Sequence, residues 1–265
     1  MNSRYLGAAL LSPFIVFLFL GGLYLRVGIL VLSLLGMYEF YKVIKQKDIH
    51  AIAIVGYIIC ILYYFIMGNN IEYKIMFSLL VLSIFILLCI PIINIKYTFI
   101  DVAATLLGFI YVGIFFSFIV LVSNKVYGNY LVWLIFISAW VCDTCAYYVG
   151  KKFGKVKLAP KISPKKTIEG SIGGFLGSIV ACTIFGLFVQ SKGINIPIYN
   201  YIIIGALNGV FCQIGDLVAS SIKRVVGVKD FSNLIPGHGG ILDRFDSTLF
   251  SAVVVFYYLS FVLNL

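Results

Sequence analysis

Six of the ten acidic residues fall in the second half of this 265-residue chain: Asp143, Glu169, Asp216, Asp230, Asp243 and Asp246. Asp243 and Asp246 are spaced i,i+3, which on a helical turn puts both on one side with Cβ atoms about 5–6 Å apart. Gathered carboxylates are hard oxygen ligands, suited to Mg²⁺ held jointly with substrate phosphates. Basic, glycine-rich loops surround them. The first, GKKFGKVKLAPKISPKKTIEGSIGG from Gly150 to Gly174, carries seven lysines. Its Lys165 and Lys166 can neutralise phosphate charge, and Ser163, Thr167 and the glycine backbone can donate hydrogen bonds. The second region holds Lys223, Arg224, Lys229 and Arg244, with His238 between Gly237 and Gly239-Gly240. Glycines there permit positive φ and close approach of backbone to a ligand. The chemistry these residues suit is metal-assisted transfer of a phosphate-bearing group. The blander readings are salt bridges between the acids and Lys223, Arg224 or Arg244, and lysines that serve only as topology signals or lipid contacts.

The elements that must position these groups are membrane helices. Hydrophobic residues make up 62% of the chain and charged residues 11%, with a mean hydropathy of +1.08. A soluble domain would carry about a quarter charged residues, so a water-soluble, disordered or collagen-like chain is excluded. The net charge of +10 suits anionic partners such as lipid headgroups and nucleotides. Nucleic acid is not expected, because the apolar runs leave little surface for it. Cys142 and Cys145 form a C-x-x-C, but no second pair or nearby histidines complete a zinc set. They read as small helix residues.

A span needs about 20 mostly apolar residues, and nine segments qualify: Tyr5–Leu20, Leu23–Val43, Ile49–Met67, Ile75–Ile93, Phe99–Ser123, Tyr130–Val149, Ile172–Gln190, Ile198–Ser220 and Thr248–Leu265. The expected fold is therefore an all-α, polytopic integral membrane protein of about nine transmembrane helices. With nine spans, sixteen of the twenty Lys and Arg residues share one side, which the positive-inside rule assigns to the cytoplasm. Asp143 then lies in the sixth span roughly 10 Å inside its cytoplasmic end, and Asp216 lies at similar depth in the eighth. Asp243 and Asp246 precede the ninth on the same face, so the acids converge there. Buried ionisable groups in a membrane are functional candidates by default. The first-half acids Glu39, Asp48, Glu72 and Asp101 are expected near span ends, in reach of water. Residues 1–128 thus read as N-terminal membrane helices, and 129–265 as catalytic helices and cytoplasmic loops forming one structural unit.

The stretch SSIKRVVGVKDFSNLIPGHGGILDRFD, Ser220 to Asp246, resembles the signature of the CTP:phosphatidate cytidylyltransferases, the CDP-diacylglycerol synthases. The pattern S-x-apolar-K-R, four residues, K-D, then H-G-G-apolar-x-D-R-apolar-D is met by Ser220, Ile222, Lys223, Arg224, Lys229, Asp230, His238, Gly239, Gly240, Ile241, Asp243, Arg244, Phe245 and Asp246. A second stretch is similar to the same family: Asp143, Ala146-Tyr147, Gly150, Gly154-Lys155, Ser163-Pro164-Lys165-Lys166-Thr167 and Glu169-Gly170. The resemblance covers roughly residues 130–250, and the N-terminal spans match only as generic membrane helices.

The resemblance implies the reaction CTP + phosphatidate → CDP-diacylglycerol + pyrophosphate, with Mg²⁺ and, in some members, a monovalent cation such as K⁺. Asp216 and Asp243 are then the main metal ligands, with Asp246 a further ligand or support, and Asp143 orients a neighbouring cation or water. Lys165, Lys166, Lys223, Arg224 and Arg244 hold triphosphate or lipid phosphate, joined by Ser163, Thr167, Lys229, His238, Gly239 and Gly240. The partners implied are CTP, phosphatidate and membrane lipid. Oligomeric state stays open, a homodimer included. Compactness and the absence of targeting extensions point to a bacterial plasma membrane, with the site facing the cytoplasm. A CTP-using lipid kinase or another lipid acceptor would use the same loops, and an ion-coupled transporter is the alternative from another class.

Overall fold

The protein is described here by a computed structural model covering residues 15–67, 73–235, 237 and 239–265. After a helical stretch over 15–20, the elements are α1 (Gly22–Ile44), α2 (Ala53–Ile66), α3 (Tyr73–Ile93), α4 (Phe99–Gly108), a π-helical turn (Phe109–Ile114) and α5 (Phe115–Ser123). There follow α6 (Gly128–Leu131), α7 (Trp133–Phe153), β1 (Lys157–Ala159), β2 (Ser163–Thr167), α8 (Ile168–Ser191), α9 (Ile198–Val226) and α10 (Leu242–Phe261). Among the described residues six helical stretches are long and apolar enough to cross a membrane: Gly22–Lys47, Lys74–Ile93, Phe99–Ser123, Gly128–Phe153, Ile168–Ser191 and Ile198–Val226. Each coincides with one of the expected spans. Ala53–Ile66 is apolar but shorter, and α10 is twenty residues long with Asp243 in its first turn. The first expected span, Tyr5–Leu20, lies mostly outside the described residues, as does Glu72. Large apolar side chains such as Phe65, Phe85 and Ile184 are exposed on these helices. Water would oppose that exposure and hydrocarbon accepts it, so the chain is a helical membrane protein.

Two departures from an all-helical reading matter. The lysine-rich loop folds into an antiparallel hairpin, with Lys157 opposite Thr167 and Ala159 opposite Ser163. The last helix also begins earlier than its apolar run: Asp243 and Asp246 are inside α10 rather than ahead of it. Hydropathy marks only the part of a helix that faces lipid, and helices continue past it.

The chain forms two compact units, residues 1–120 with 226–243, and residues 121–225 with 244–265. In the first, aromatic side chains fill the core, and the hydroxyls of Tyr64 and Tyr41 are paired, as a water-free interior favours. Tyr64 shares a 2.8 Å hydrogen bond with Ser33 and donates to the carbonyl of Gly113 in the π-turn. Tyr41 donates to the Thr105 carbonyl. Two acids expected to reach water are buried instead, Glu39 at 0% exposure and Asp101 at 4%. Asp101 closes a capping box with Thr98 at the start of α4 and accepts the backbone N–H of His50 at 2.6 Å. The donors of neighbouring backbone replace water there, which is why a carboxylate is tolerated.

In the second unit α7 and α8 lie close because glycines leave room. A Cβ on Gly174 would come 2.9 Å from the Cys142 carbonyl, and one on Gly177 2.6 Å from the Cys145 sulfur. Small residues at such spacing are how helices approach without a hydrophobic drive between them. Cys142 and Cys145 are free thiols on that seam, matching their reading as small helix residues. A polar layer ties α7, α9 and α10: Asn208 donates to Ser138 Oγ at 2.8 Å, Ser138 and Ser251 share a 3.1 Å bond, and Ser251 donates to the Ile135 carbonyl.

Candidate active site

The Ser138–Asn208–Ser251 layer sets the register of three helices, and the acids follow from it. Asp143 lies five residues beyond Ser138, Asp216 eight beyond Asn208, and Asp246 five before Ser251, all toward the same end. At 1.5 Å per residue these are rises of roughly 8–12 Å, so the three carboxylates arrive near one level. Each of Asp143, Asp216 and Asp246 is within electrostatic reach of another. Ser247 links two of their helices, its hydroxyl donating to Asp143 Oδ1 at 3.3 Å while its backbone N–H meets Asp246 Oδ1 at 2.8 Å. Gly215 keeps α9 against α10, since a Cβ there would lie 2.5 Å from the Asp246 carbonyl.

The hairpin delivers the cations. Its second strand runs directly into α8, where the Thr167 hydroxyl accepts the Gly170 N–H at 3.2 Å. Successive side chains on a strand point to opposite faces, so Lys165 is exposed while Lys166 turns inward. Lys166 Nζ reaches Asp216 Oδ2 at 2.6 Å, and Ser220 donates to Asp216 Oδ1 at 3.2 Å. Asp216 is thus paired with the hairpin lysine. Lys223 is 8% exposed and acts on the charge of Asp246. Arg244 acts on that of Asp143. Arg224 is exposed and donates through Nε to the Ile162 carbonyl at 3.2 Å, bracing the hairpin turn. Ser163 opens β2. Beside this cluster an apolar groove of about 360 Å³ is lined by Leu158, Ile172, Phe175, Val210, Ile214 and Leu217, with Ser171 and Gln213. Leu217 adjoins Asp216 in the chain.

The remaining predicted residues belong to the first unit. Asp243 Oδ2 accepts two backbone amides, Phe231 N–H at 2.8 Å and Gly240 N–H at 2.9 Å. Gly239 has φ +82°, and its carbonyl accepts the Ile235 N–H at 2.8 Å, a turn that an L side chain at Gly239 would strain. Lys229 is exposed and lines a cavity of about 650 Å³ with Asp230, Ser232 and Asn233 from the loop, Tyr38 and Lys42 from α1, and Gln46 just past its end. His238 lies outside the described residues.

Two residues escaped the sequence reading. Ser247 follows Asp246 directly, and adjacency to an acid was its only signal. Glu39 stands alone in the apolar helix α1, and its carboxylate holds the loop that carries Asp243: it accepts from Ser232 Oγ, Ile241 N and Leu242 N. A lone acid in a span was the signal for it.

Among the described residues no three His, Cys, Asp or Glu side chains cage a metal. Mg²⁺ does not need such a cage where one or two carboxylates and substrate phosphates suffice. Asp143, Asp216 and Asp246 are hard oxygen donors of the kind that ion takes, and each acts on the charge of another.

Residues 2–262 match the sequence profile of the cytidylyltransferase family. The phosphatidate cytidylyltransferase of Bacillus subtilis (strain 168) is 34% identical over 271 residues, covering 98% of each chain. That of Staphylococcus aureus (strain COL) is 36% identical over 254 residues, 94% of this chain and 95% of the relative. That of Staphylococcus saprophyticus is 39% identical over 182 residues, 69% of this chain and 67% of the relative.

Proposed function

The chain belongs to the cytidylyltransferase family, and on that premise we propose that it transfers the cytidylyl group of CTP to phosphatidate for phospholipid synthesis. The observation that carries the reading is the Lys166–Asp216 pair, which joins the lysine-rich hairpin to an acidic cluster on membrane helices. A phosphate oxygen of phosphatidate attacks the α-phosphorus of CTP. The bond from that phosphorus to the bridging oxygen breaks, and pyrophosphate leaves with the bonding pair. The nucleophile is already largely ionised near neutral pH, since the second pKa of a phosphate monoester is about 6. No strong general base is required.

The obstacle is repulsion between two polyanions, and fixed cations lower it. Lys165, Lys166, Lys223, Arg224 and Arg244 hold the phosphates, with Ser163 and Thr167 beside them and Lys229, His238, Gly239 and Gly240 contributing from the second loop. Asp216, Asp243 and Asp246 would hold Mg²⁺, with Asp143 orienting a neighbouring cation or water, and K⁺ is a candidate monovalent partner. Such an ion would supply neutralisation of phosphate charge. The apolar groove beside Asp216 suits an acyl chain, which must stay in hydrocarbon while its phosphate meets the nucleotide. Nine spans, a cytoplasmic site and a bacterial plasma membrane complete the reading, supported by the charge asymmetry of the loops.

The test uses purified protein in detergent with phosphatidate and α-labelled CTP, with and without Mg²⁺. Label entering the lipid phase with release of pyrophosphate is expected, and chelation by EDTA should abolish it. Label entering from γ-labelled CTP instead would make the protein a kinase. No transfer of either label by folded protein overturns the reading.

A further inference from the structure

We infer that Glu39 is a positioning residue for the reaction, acting through the loop Phe231–Leu242; the inference rests on the cytidylyltransferase reading above. Glu39 sits in α1, fully buried at 0% exposure, some two hundred residues from the loop in sequence. Its Oε1 accepts the Ser232 hydroxyl at 2.6 Å and the Ile241 N–H at 2.9 Å, and its Oε2 accepts the Leu242 N–H at 2.9 Å. Leu242 opens α10, and the first amides of a helix have no acceptor within it. A carboxylate there also meets the positive end of the helix dipole. Glu39 is thus a cap for α10 supplied from another helix.

Its partners mirror those of Asp243. Asp243 takes one amide from the start of the loop, Phe231, and one from its end, Gly240. Glu39 likewise takes Ser232 from the start and Ile241 and Leu242 from the end. Two carboxylates therefore clamp the same chain closure from both sides. Gly240 is the residue on which they meet: a Cβ there would lie 2.5 Å from Glu39 Oε2, while its N–H is held by Asp243. Lys229, two residues before the loop, lines the cavity that α1 shares with it. Releasing Glu39 frees the end of the loop that leads directly into Asp243.

Glu39→Gln tests this with little change of shape. An amide keeps one acceptor oxygen and turns an NH₂ donor toward groups that are themselves donors. With one such charged hydrogen-bond set worth at least about 1.4 kcal/mol, a factor of ten, KM for CTP should rise about tenfold. The Kd for CTP measured without phosphatidate should rise with it, and hydrogen exchange at Ile241 and Leu242 should quicken. A purely structural role would lower the yield or Vmax of the protein and leave KM and Kd for CTP unchanged, and that result overturns the inference. Ser232→Ala removes a single half-buried donor and covers the case in which Glu39→Gln does not fold. It should raise KM for CTP about threefold alone and add nothing in the Glu39→Gln background; an unchanged KM in Ser232→Ala counts against the clamp. Wild-type protein that makes no CDP-diacylglycerol would sink the functional reading itself, whereas active wild type with unshifted variants sinks only the role of Glu39.

Discussion

Glu39 and Asp101 of the first compact unit and the acidic cluster of the second are used in opposite ways. Glu39 and Asp101 in the first unit are buried, and each carboxylate accepts three hydrogen bonds from backbone or hydroxyl donors. Asp143, Asp216 and Asp246 in the second lie within reach of one another's charge, with Lys166, Lys223 and Arg244 as the basic groups acting on them. A carboxylate whose lone pairs are taken by backbone builds architecture. A group of them held near each other against repulsion is arranged for a cation or substrate to complete.

The sharpest way to break this contrast is Asp216→Asn. Activity should fall about 1,000-fold, the scale for losing a preorganised electrostatic contact at a reacting centre. Stability should change by less than about 1 kcal/mol, because the Lys166 pair is part-exposed. Near-normal label transfer by this variant would move the site elsewhere. Lys166→Met should lower kcat/KM about 100-fold with a similarly small change in melting temperature. Asp101→Asn inverts the pattern. It weakens the capping box and the bond from His50, so unfolding in detergent should cost about 2 kcal/mol less, with turnover of the surviving protein within a factor of three. Equal activity losses for Asp101→Asn and Asp216→Asn would erase the distinction between the units. The smallest effect belongs to Ser251→Ala, about 0.6 kcal/mol for each of its two interhelical hydrogen bonds, to Ser138 and the Ile135 carbonyl, read as a slight fall in thermal midpoint with activity kept.

Much of the site was legible because its chemistry is local. Ser163 to Thr167 and Ser220 to Asp246 carry their residues at fixed spacing, and a buried Asp in a span announces itself by its cost. Helix positions followed from hydropathy for Phe99–Ser123 and its like. The hairpin did not, because three- and five-residue strands of lysine, serine and proline have no apolar alternation to detect. The early start of α10 was hidden because Asp243, Arg244 and Asp246 interrupt its apolar run.

What sequence alone determined is the membrane setting, the family and the types of residue available for phosphate chemistry, since each rests on composition or on spacing within one segment. Tertiary structure alone decided which lysine meets Asp216, why Asp143 and Asp246 share a level, and that Glu39 in the generic-looking helix α1 closes the signature loop. The reason is physical: a hydrogen bond or an ion pair depends on separation in space, and the register of helices that sets that separation comes from packing between segments at Gly174, Ser138 and Gly215, which spacing within any one segment does not encode.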